Sequence, residues 1–483
     1  MSDAPVMGAA KADLVLAVDL DGTLLKSDML YESFWSAATK DWRTALAAGK
    51  ALSGGKAALK RALADASDVV VETLPYNDDV IDYIRNWRAA GGKTALVTAS
   101  DQGLANRIAA HLDLFDEVHG SDGINNLKGD NKAAFLTDRY GVKSYAYMGD
   151  HEADLLVWAG AGRAITVNAP ADLRAKAAGL GVEVEHLGTA ETDYKPYLKA
   201  LRPHQWLKNI LVFLPMLLGH QLNFAAFFTS FLAFCAFSLV ASSVYVLNDL
   251  LDLAADRAHP RKCKRPFASG TLPIAHGTGL AGGLFAAGFV LSLLISPLFL
   301  FVMLCYYAMT TGYSLYFKRR MVIDICVLAG LYTMRIIAGG VASSVPLSVW
   351  LLAFSVFLFF SLAAVKRQAE LVDTAKAGKL STSGRGYHVD DLSIISQMAL
   401  ASGYVSVLVL ALYMNSPQVS LLYSNPSVLW GICLVLLFWV SWIVMTTHRG
   451  EMHDDPIVFA VKDRISRICG LLAVGFAIGG ALS

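Results

Sequence analysis

The chain is poor in charge. Of its 483 residues only 17% are Asp, Glu, Lys or Arg, against 55% hydrophobic, and its mean hydropathy is +0.46. That balance is too apolar for a soluble protein of this size and implies several membrane spans. The scarce charge is also balanced: a net of +1 gives no general attraction to nucleic acid, so no nucleic-acid partner is expected. Cysteine is sparse too. The six present (Cys235, Cys263, Cys305, Cys326, Cys433 and Cys469) are widely spaced, form no CxxC pair and lie in the C-terminal part, which argues against a disulfide framework and a zinc site. The opening stretch MSDAPVMGAAKADL has no basic region followed by an apolar run. A cleavable signal peptide is therefore not expected, and the first domain is expected to stay in the cytoplasm.

The hydrophobic residues fall into two regimes. Residues 1–195 read as a soluble α/β domain, with short apolar runs at 14–18, 94–98, 144–148 and 163–167 alternating with helical patterns; that alternation predicts a parallel sheet with covering helices. A helical stretch at about 28–75 would cap the open end of the sheet. Residues 196–483 form the second domain, an all-α membrane bundle. Nine apolar stretches there are long enough to cross ~30 Å of hydrocarbon, at roughly 204–220, 224–250, 276–295, 298–316, 321–341, 347–366, 393–414, 426–447 and 462–482. Lys and Arg recur in the connections after spans two, four, six and eight and are absent after one, three, five and seven. By the positive-inside rule the basic loops lie on the cytoplasmic side of the cell's inner membrane with the N-terminal domain, and the C-terminus lies outside. The segment YKPYLKALRPHQWLKN (194–209) has the aromatic and basic mixture of an interfacial helix, or is a plain linker.

Two constellations carry chemistry. In the first domain VDLDGTLL places Asp19 and Asp21 just after a strand, Thr98 ends a second strand, and GDHEAD after a third presents Asp150 and Asp154; Lys128 and Lys132 lie between. Strand ends are where α/β proteins bind ligands, and two pairs of carboxylates there suit Mg2+ with several waters. In the second domain YVLNDLLDLAADRAHPRKCKRPFASG closes span two. Its Asp249, Asp252 and Asp256 are spaced i, i+3, i+7, which places them within about a 60° sector of one helical face. Such a face needs a cation or a cationic partner; Mg2+ bridging to a diphosphate suits its oxygens, with Asn248 adding an amide oxygen. The basic run that follows includes Arg261, Lys262 and Arg265, which would bind phosphate oxygens or anionic headgroups. Further candidates are Lys318, Arg319, Asp324 and Arg335 around span five, and Lys366, Arg367 and Glu370 in AAVKRQAELVDTAKAGKLSTSGRGY, a stretch that ends on Tyr387. Charges in such segments are costly and are functional candidates by default. Asp324 and Arg335 fall on nearly the same helical face, about 16 Å apart along the axis.

The first set resembles the haloacid dehalogenase (HAD) superfamily over about residues 13–170: DxDGT, a hydroxyl residue after the next strand, a lysine, then GDxxxD. The resemblance implies Asp19 as nucleophile, Asp21 as general acid/base, Thr98 and a lysine as phosphate ligands, and Asp150 completing a Mg2+ site with Asp154 in support. Lys132 is favoured because its context NKAAFL resembles the family's lysine-bearing helix start, with Lys128 as the alternative. The second set, over about residues 200–483, resembles the UbiA prenyltransferase superfamily, whose first signature is NDxxDxxxD after the second of nine helices. Its second DxxxD motif is replaced here by KRQAEL. NDxxDxxxD, D-x10-R-IAGG and KRxxEL together resemble the polyprenyl-phosphate phosphoribosyltransferase branch. That branch implies 5-phosphoribosyl diphosphate (PRPP) as donor, polyprenyl phosphate as acceptor and the bilayer as setting; the basic residues then have two anions to hold. A homo-oligomer is left open. The expectation is a bifunctional enzyme whose phosphatase removes the 5-phosphate of the transferase product. The alternatives are transfer of a prenyl chain from prenyl diphosphate to an aromatic acceptor, and a HAD domain that serves only as a docking or regulatory module.

Overall fold

The computed structural model describes residues 14–482 except 42, 123–125, 190–192, 383–384, 417–418, 420–421 and 453–454. Most of the opening stretch weighed above as a signal peptide, residues 1–13, lies outside the described residues. The chain divides into two compact units, Met1–Leu201 with Tyr245–Leu280, and Arg202–Val244 with Ala281–Ser483.

The first unit is built on six parallel strands: β1 (Val15–Val18), β2 (Thr94–Asp101), β3 (Glu117–Ser121), β4 (Tyr145–Gly149), β5 (Arg163–Ala169) and β6 (Glu183–Thr189). They stand in the order β3-β2-β1-β4-β5-β6. Alternate strand residues enter different cores. Leu16, Val18, Leu96, Ala146, Met148, Ile165 and Val167 pack in one; Ala17, Ala95, Val97, Tyr145, Tyr147 and Ala164 pack in the other. With both faces covered, the central strands read as continuous apolar runs. Four strands lie where the sequence placed them. The two it did not show, β3 and β6, are the sheet edges, and the half-exposed EVHGS and EVEHLGT lack an apolar run. Four α-helices stand between β1 and β2: α1 (Met29–Lys40), α2 (Thr44–Leu52), α3 (Lys56–Ala66) and α4 (Asp78–Ala89). The first three fall within the stretch 28–75 expected to cap the sheet. α1 begins where Asp28 accepts the Leu30 N–H, an N-cap that satisfies one of the orphan donors of the first turn.

Tyr245–Leu280 packs with this unit through polar contacts on α1. Arg257 donates to both oxygens of Glu32 at 3.0 and 2.6 Å and to the Ala268 carbonyl at 3.1 Å. Trp35 Nε1 donates to Thr278 at 3.0 Å, and the Thr39 hydroxyl to the Leu251 carbonyl at 2.9 Å.

Eight helices among the described residues are long and apolar enough to cross a membrane: Phe224–Leu251, Ile274–Ile295, Pro297–Leu315, Ile323–Ser343, Val349–Lys376, Val389–Met414, Pro426–His448 and Arg464–Ala481. Nine stretches were expected, and the difference is the first. Residues 204–220 do not form one long helix; a 3-10 helix Pro203–Phe213 passes into a short α-helix Leu214–Leu218. Pro215, lacking an N–H, sits in the first turn of that short helix, the position where proline is tolerated.

Candidate active sites

The first site lies where β1 and β4 end. The Asp19 N–H donates to the Met148 carbonyl at 3.0 Å, continuing the ladder into the acidic turn. Gly22 has φ +78°, and a Cβ there would collide with the Asp150 carboxylate. Only glycine lets the two acidic loops approach this closely. Lys132 Nζ donates to Asp19 Oδ1 and to the Tyr147 hydroxyl, both at 2.8 Å. Tyr147 in turn donates to Asp154 Oδ1 at 2.9 Å. The other oxygen of Asp154 accepts the N–H groups of Asp150 and His151 at 3.2 and 3.0 Å, so Asp154 braces the loop that carries Asp150. The Thr23 hydroxyl donates to Asp150 Oδ1 at 3.2 Å.

Asp21 points the other way. Its oxygens accept the Met29 N–H and the Ser100 hydroxyl, each at 2.7 Å. Burial first, then the charges of Asp28 and Asp19, push its carboxyl up to about 7. Burial and the charges of Asp19 and Asp154 push Asp150 well above the usual carboxylate range, and burial with Asp19 raises Asp154. Burial pulls Lys132 down, but Asp19 and Asp154 outweigh it and hold the ammonium above its ordinary value. The buried ammonium thus answers Asp19 directly and Asp154 through Tyr147. Asp19, Asp150 and Asp154 bring ligand oxygens within 4.8 Å of one another, an all-oxygen, anionic donor set that fits a divalent cation such as Mg2+.

These residues open into a cleft of about 680 Å3 lined by Asp19, Asp21, Asp150, Asp154, Lys132 and Lys128 among others. Thr98 is fully buried and is not part of the lining; its hydroxyl oxygen accepts the Ser100 N–H at 3.0 Å. Ser100, two residues on and equally visible in TASD, is the hydroxyl that reaches a site carboxylate. Tyr147, which links Lys132 to Asp154, was hidden in an apolar strand.

The second site belongs to Tyr245–Leu280. The helix Phe224–Leu251 stops before Asp252, whose φ −97°, ψ 13° caps a short helix Leu253–Arg257. The Asp252 N–H to Asn248 carbonyl and Asp256 N–H to Asp252 carbonyl bonds, 2.9 and 2.8 Å, carry the i→i+4 pattern across the break. Asp249 and Asp256 therefore still converge, and Arg265 Nη1 donates to both, at 3.0 and 2.6 Å. Asp249 and Asp256 are buried, and Asn248 and Asp252 half-buried; Arg261 and Lys262 are exposed on the following loop.

The remaining candidates lie in the second unit, and all but Lys318 and Arg319 belong to largely buried clusters. Asp324 pairs with Arg367 at 2.6 Å, accepts the Tyr387 hydroxyl at 2.5 Å and has Arg385 at 3.8 Å. Glu370 joins through Arg367 and through Arg385, the latter at 3.0 Å. In the other cluster Asp455 Oδ2 accepts Lys208 at 2.7 Å and Lys366 at 3.1 Å, and the Tyr332 hydroxyl donates to the same carboxylate at 3.2 Å. Arg335 donates to Asn209 at 2.9 Å and to the Tyr306 hydroxyl at 3.2 Å. Its guanidinium also lies 5.3 to 5.5 Å from the ring centres of Phe237, Tyr306 and Tyr332. Asp324 and Arg335 thus take different partners despite their shared helical face. Lys318 and Arg319 lie on the one-turn 3-10 helix Phe317–Arg319, with Arg319 exposed. Lys208, Asn209 and Asp455 were not foreseen. An acid directly before Pro456 was the only signal for the last.

Comparison with known proteins finds two families along the chain, and the match to the second runs through Tyr245–Leu280. Residues 209–460 match the UbiA prenyltransferase family, and residues 16–157 match the haloacid dehalogenase-like hydrolases. The chain is 38% identical over 462 residues to the uncharacterized protein y4nM of Sinorhizobium fredii, covering 95% of this chain and 89% of that one. It is 32% identical to a decaprenyl-phosphate phosphoribosyltransferase of Mycolicibacterium smegmatis, covering 59% of this chain and 92% of that one. Among solved structures, a UbiA homolog from Archaeoglobus fulgidus bound to GPP and Mg2+ aligns with 59% of this chain and 98% of its own, at 16% identity and a TM-score of 0.45. The chain is an integral membrane member of the UbiA prenyltransferase family that carries a haloacid dehalogenase-like hydrolase domain on its N-terminal side.

Proposed function

We propose that the chain is a bifunctional enzyme: its UbiA part transfers 5-phosphoribose from PRPP to polyprenyl phosphate, and its hydrolase removes the 5-phosphate from the product. The observation that carries this reading is the buried cationic content where the second acidic signature was expected, with Lys366 and Arg367 joined by Lys208 and Arg335. A donor and an acceptor that are both anions need such groups; a prenyl diphosphate and an aromatic ring do not need as many. The name of the mycobacterial relative supports the same choice.

In the transfer step the C1–O bond to diphosphate breaks and a polyprenyl phosphate oxygen forms the new bond to C1. The acceptor is already anionic and needs no general base. Asp249, Asp252 and Asp256 with Asn248 would hold Mg2+ in this part, and Asp19 and Asp150 in the hydrolase. Bound there, Mg2+ supplies neutralisation of diphosphate and phosphoryl oxygens. In the hydrolase Asp19 attacks phosphorus and forms an aspartyl-phosphate. Asp21, with its carboxyl raised to about 7, protonates the departing 5-oxygen and then takes a proton from the attacking water. Lys132 orients Asp19 and offsets the phosphoryl charge. The boundary between the parts is placed near residue 195. Both parts act on the cytoplasmic side of the cytoplasmic membrane, with the C-terminus outside.

The test is to incubate membranes containing the protein with labelled PRPP and polyprenyl phosphate, and separately with labelled prenyl diphosphate. The reading expects label in lipid from the first donor. Label entering product only from the second would replace it with prenyl transfer.

A further inference from the structure

With Lys132 bonded to Asp19, Lys128 has no place in the catalytic set, yet it lines the same cleft. Lys26, Lys56 and Lys60 line it as well. The charges of this cleft are segregated by origin. The strand ends contribute Asp19, Asp21, Asp150 and Asp154 with Lys132 as their one ammonium, whereas the rest of the lining sets four lysines against Asp28 alone. Lys60, on α3, donates to the Ala99 carbonyl at 2.6 Å. Burial lowers its ammonium, Asp21 and Asp28 draw it back up, and Lys128 pushes it down again, so the two lysines lie within electrostatic reach. Ammonium groups gathered in excess of their acids favour an anion among them. The transferred phosphoryl group is already served by the strand-end set, and the outer lysines call for another.

A further part of the lining has different chemistry. Pro273, Ile274, Ala275 and His276 border the cleft, and they open the helix Ile274–Ile295, which is long and apolar enough to cross a membrane. Leu52 and Leu59 add to this apolar border. A volume of about 680 Å3 is in the range of clefts that enclose a whole organic ligand.

We propose that the hydrolase cleft contains a second anion subsite, formed by Lys60 and Lys128 with Lys26 and Lys56 beside them, and that its substrate is a phosphomonoester carrying a second phosphoryl group attached to an apolar chain. This rests on the hydrolase reading above. Water cleaves the monoester, breaking its P–O bond to give an alcohol and inorganic phosphate, while the second phosphoryl group is held and left intact.

The test uses the full-length protein in detergent micelles with Mg2+ and three probes: ribose 5-phosphate, ribose 1,5-bisphosphate and farnesyl-phosphoryl-ribose 5-phosphate. Phosphate release is measured. The expected result is a kcat/KM for the prenylated probe about ten- to a hundredfold above that for ribose 5-phosphate, the size of a charge-assisted contact. Lys128→Met and the double variant Lys60→Met/Lys128→Met should shrink that ratio, chiefly through KM. Equal kcat/KM on all three probes overturns the subsite and leaves the hydrolase standing. Preference for ribose 1,5-bisphosphate over the prenylated probe keeps the subsite but assigns it a free phosphate in place of a lipid-linked one. Release from none of the three overturns the hydrolase reading itself, and the subsite with it.

Discussion

Among the described residues Lys132 is the only ammonium that bonds directly to the nucleophilic candidate Asp19, and it is 3% exposed. Replacing it with Met removes that bond and leaves Tyr147 and Asp154 without their cation. Phosphate release should fall by about 10²–10³-fold, the effect of losing one preorganised charge stabiliser, while lipid labelling by the transferase persists; assaying both products on one preparation checks it. Asp21 makes a separate prediction. Its folded-state carboxyl is raised from 3.8 to about 7, mainly by burial, so between those values the folded chain holds a proton that the unfolded chain has released. Stability from this group is therefore present at low pH and lost as pH rises toward 7. In chelator, the thermal midpoint of the wild type should drop between pH 5 and pH 8 by more than that of Asp21→Asn, measured on the same unfolding transition. A larger drop in Asp21→Asn would contradict the assignment. At this scale the sequence displayed each acidic motif but not its partners. Lys132 could be preferred over Lys128 only by context, and Ser100 over Thr98 not at all, because strand alternation and the turn of β2 decide which hydroxyl meets Asp21.

The cap helix α1 and the segment Tyr245–Leu280 are joined by a buried ion pair, Glu32 with Arg257, whose side chains are 4% and 6% exposed. A buried charge stripped of its partner costs about 3–5 kcal/mol. Glu32→Gln should lower the unfolding free energy by that order, and the double variant Glu32→Gln/Arg257→Gln should recover part of it; denaturant titration of the four proteins measures the coupling. Arg257 directly follows Asp256, so a cap substitution that also weakens lipid labelling is expected from the same clamp. Elements were legible where the apolar run is unbroken, through two-sided burial in the sheet and through length and composition in the long helices. The central strands and the eight long helices announce themselves by unbroken apolar runs, while β3 and β6, exposed along a sheet edge, do not. The first apolar stretch misleads for another reason. Its Lys208 and Asn209 are satisfied by Asp455 and Ser238, partners far away in sequence, and its backbone is 3-10 in place of α.

Across the whole molecule, what joins the two activities is chemistry: one part is proposed to create a phosphomonoester on a lipid carrier, and the other has the constellation to remove one. Composition revealed the membrane half and motif order revealed the hydrolase, but the segment Tyr245–Leu280 was read simply as the end of one span and a basic loop. Its place in the compact unit of the hydrolase could not be seen, because contacts such as Glu32 with Arg257 join residues more than two hundred positions apart. It follows that an isolated fragment ending near residue 195 lacks Pro273–His276 from its cleft and should hydrolyse the prenylated probe less efficiently than the full chain. Whether the two parts act in sequence is decided by mass analysis of the lipids made from PRPP and polyprenyl phosphate by full-length wild type and Asp19→Asn. Wild type should yield polyprenyl-phosphoryl ribose, and the variant should accumulate its 5-phosphorylated form. The same lipid product from both proteins would contradict that sequence of action.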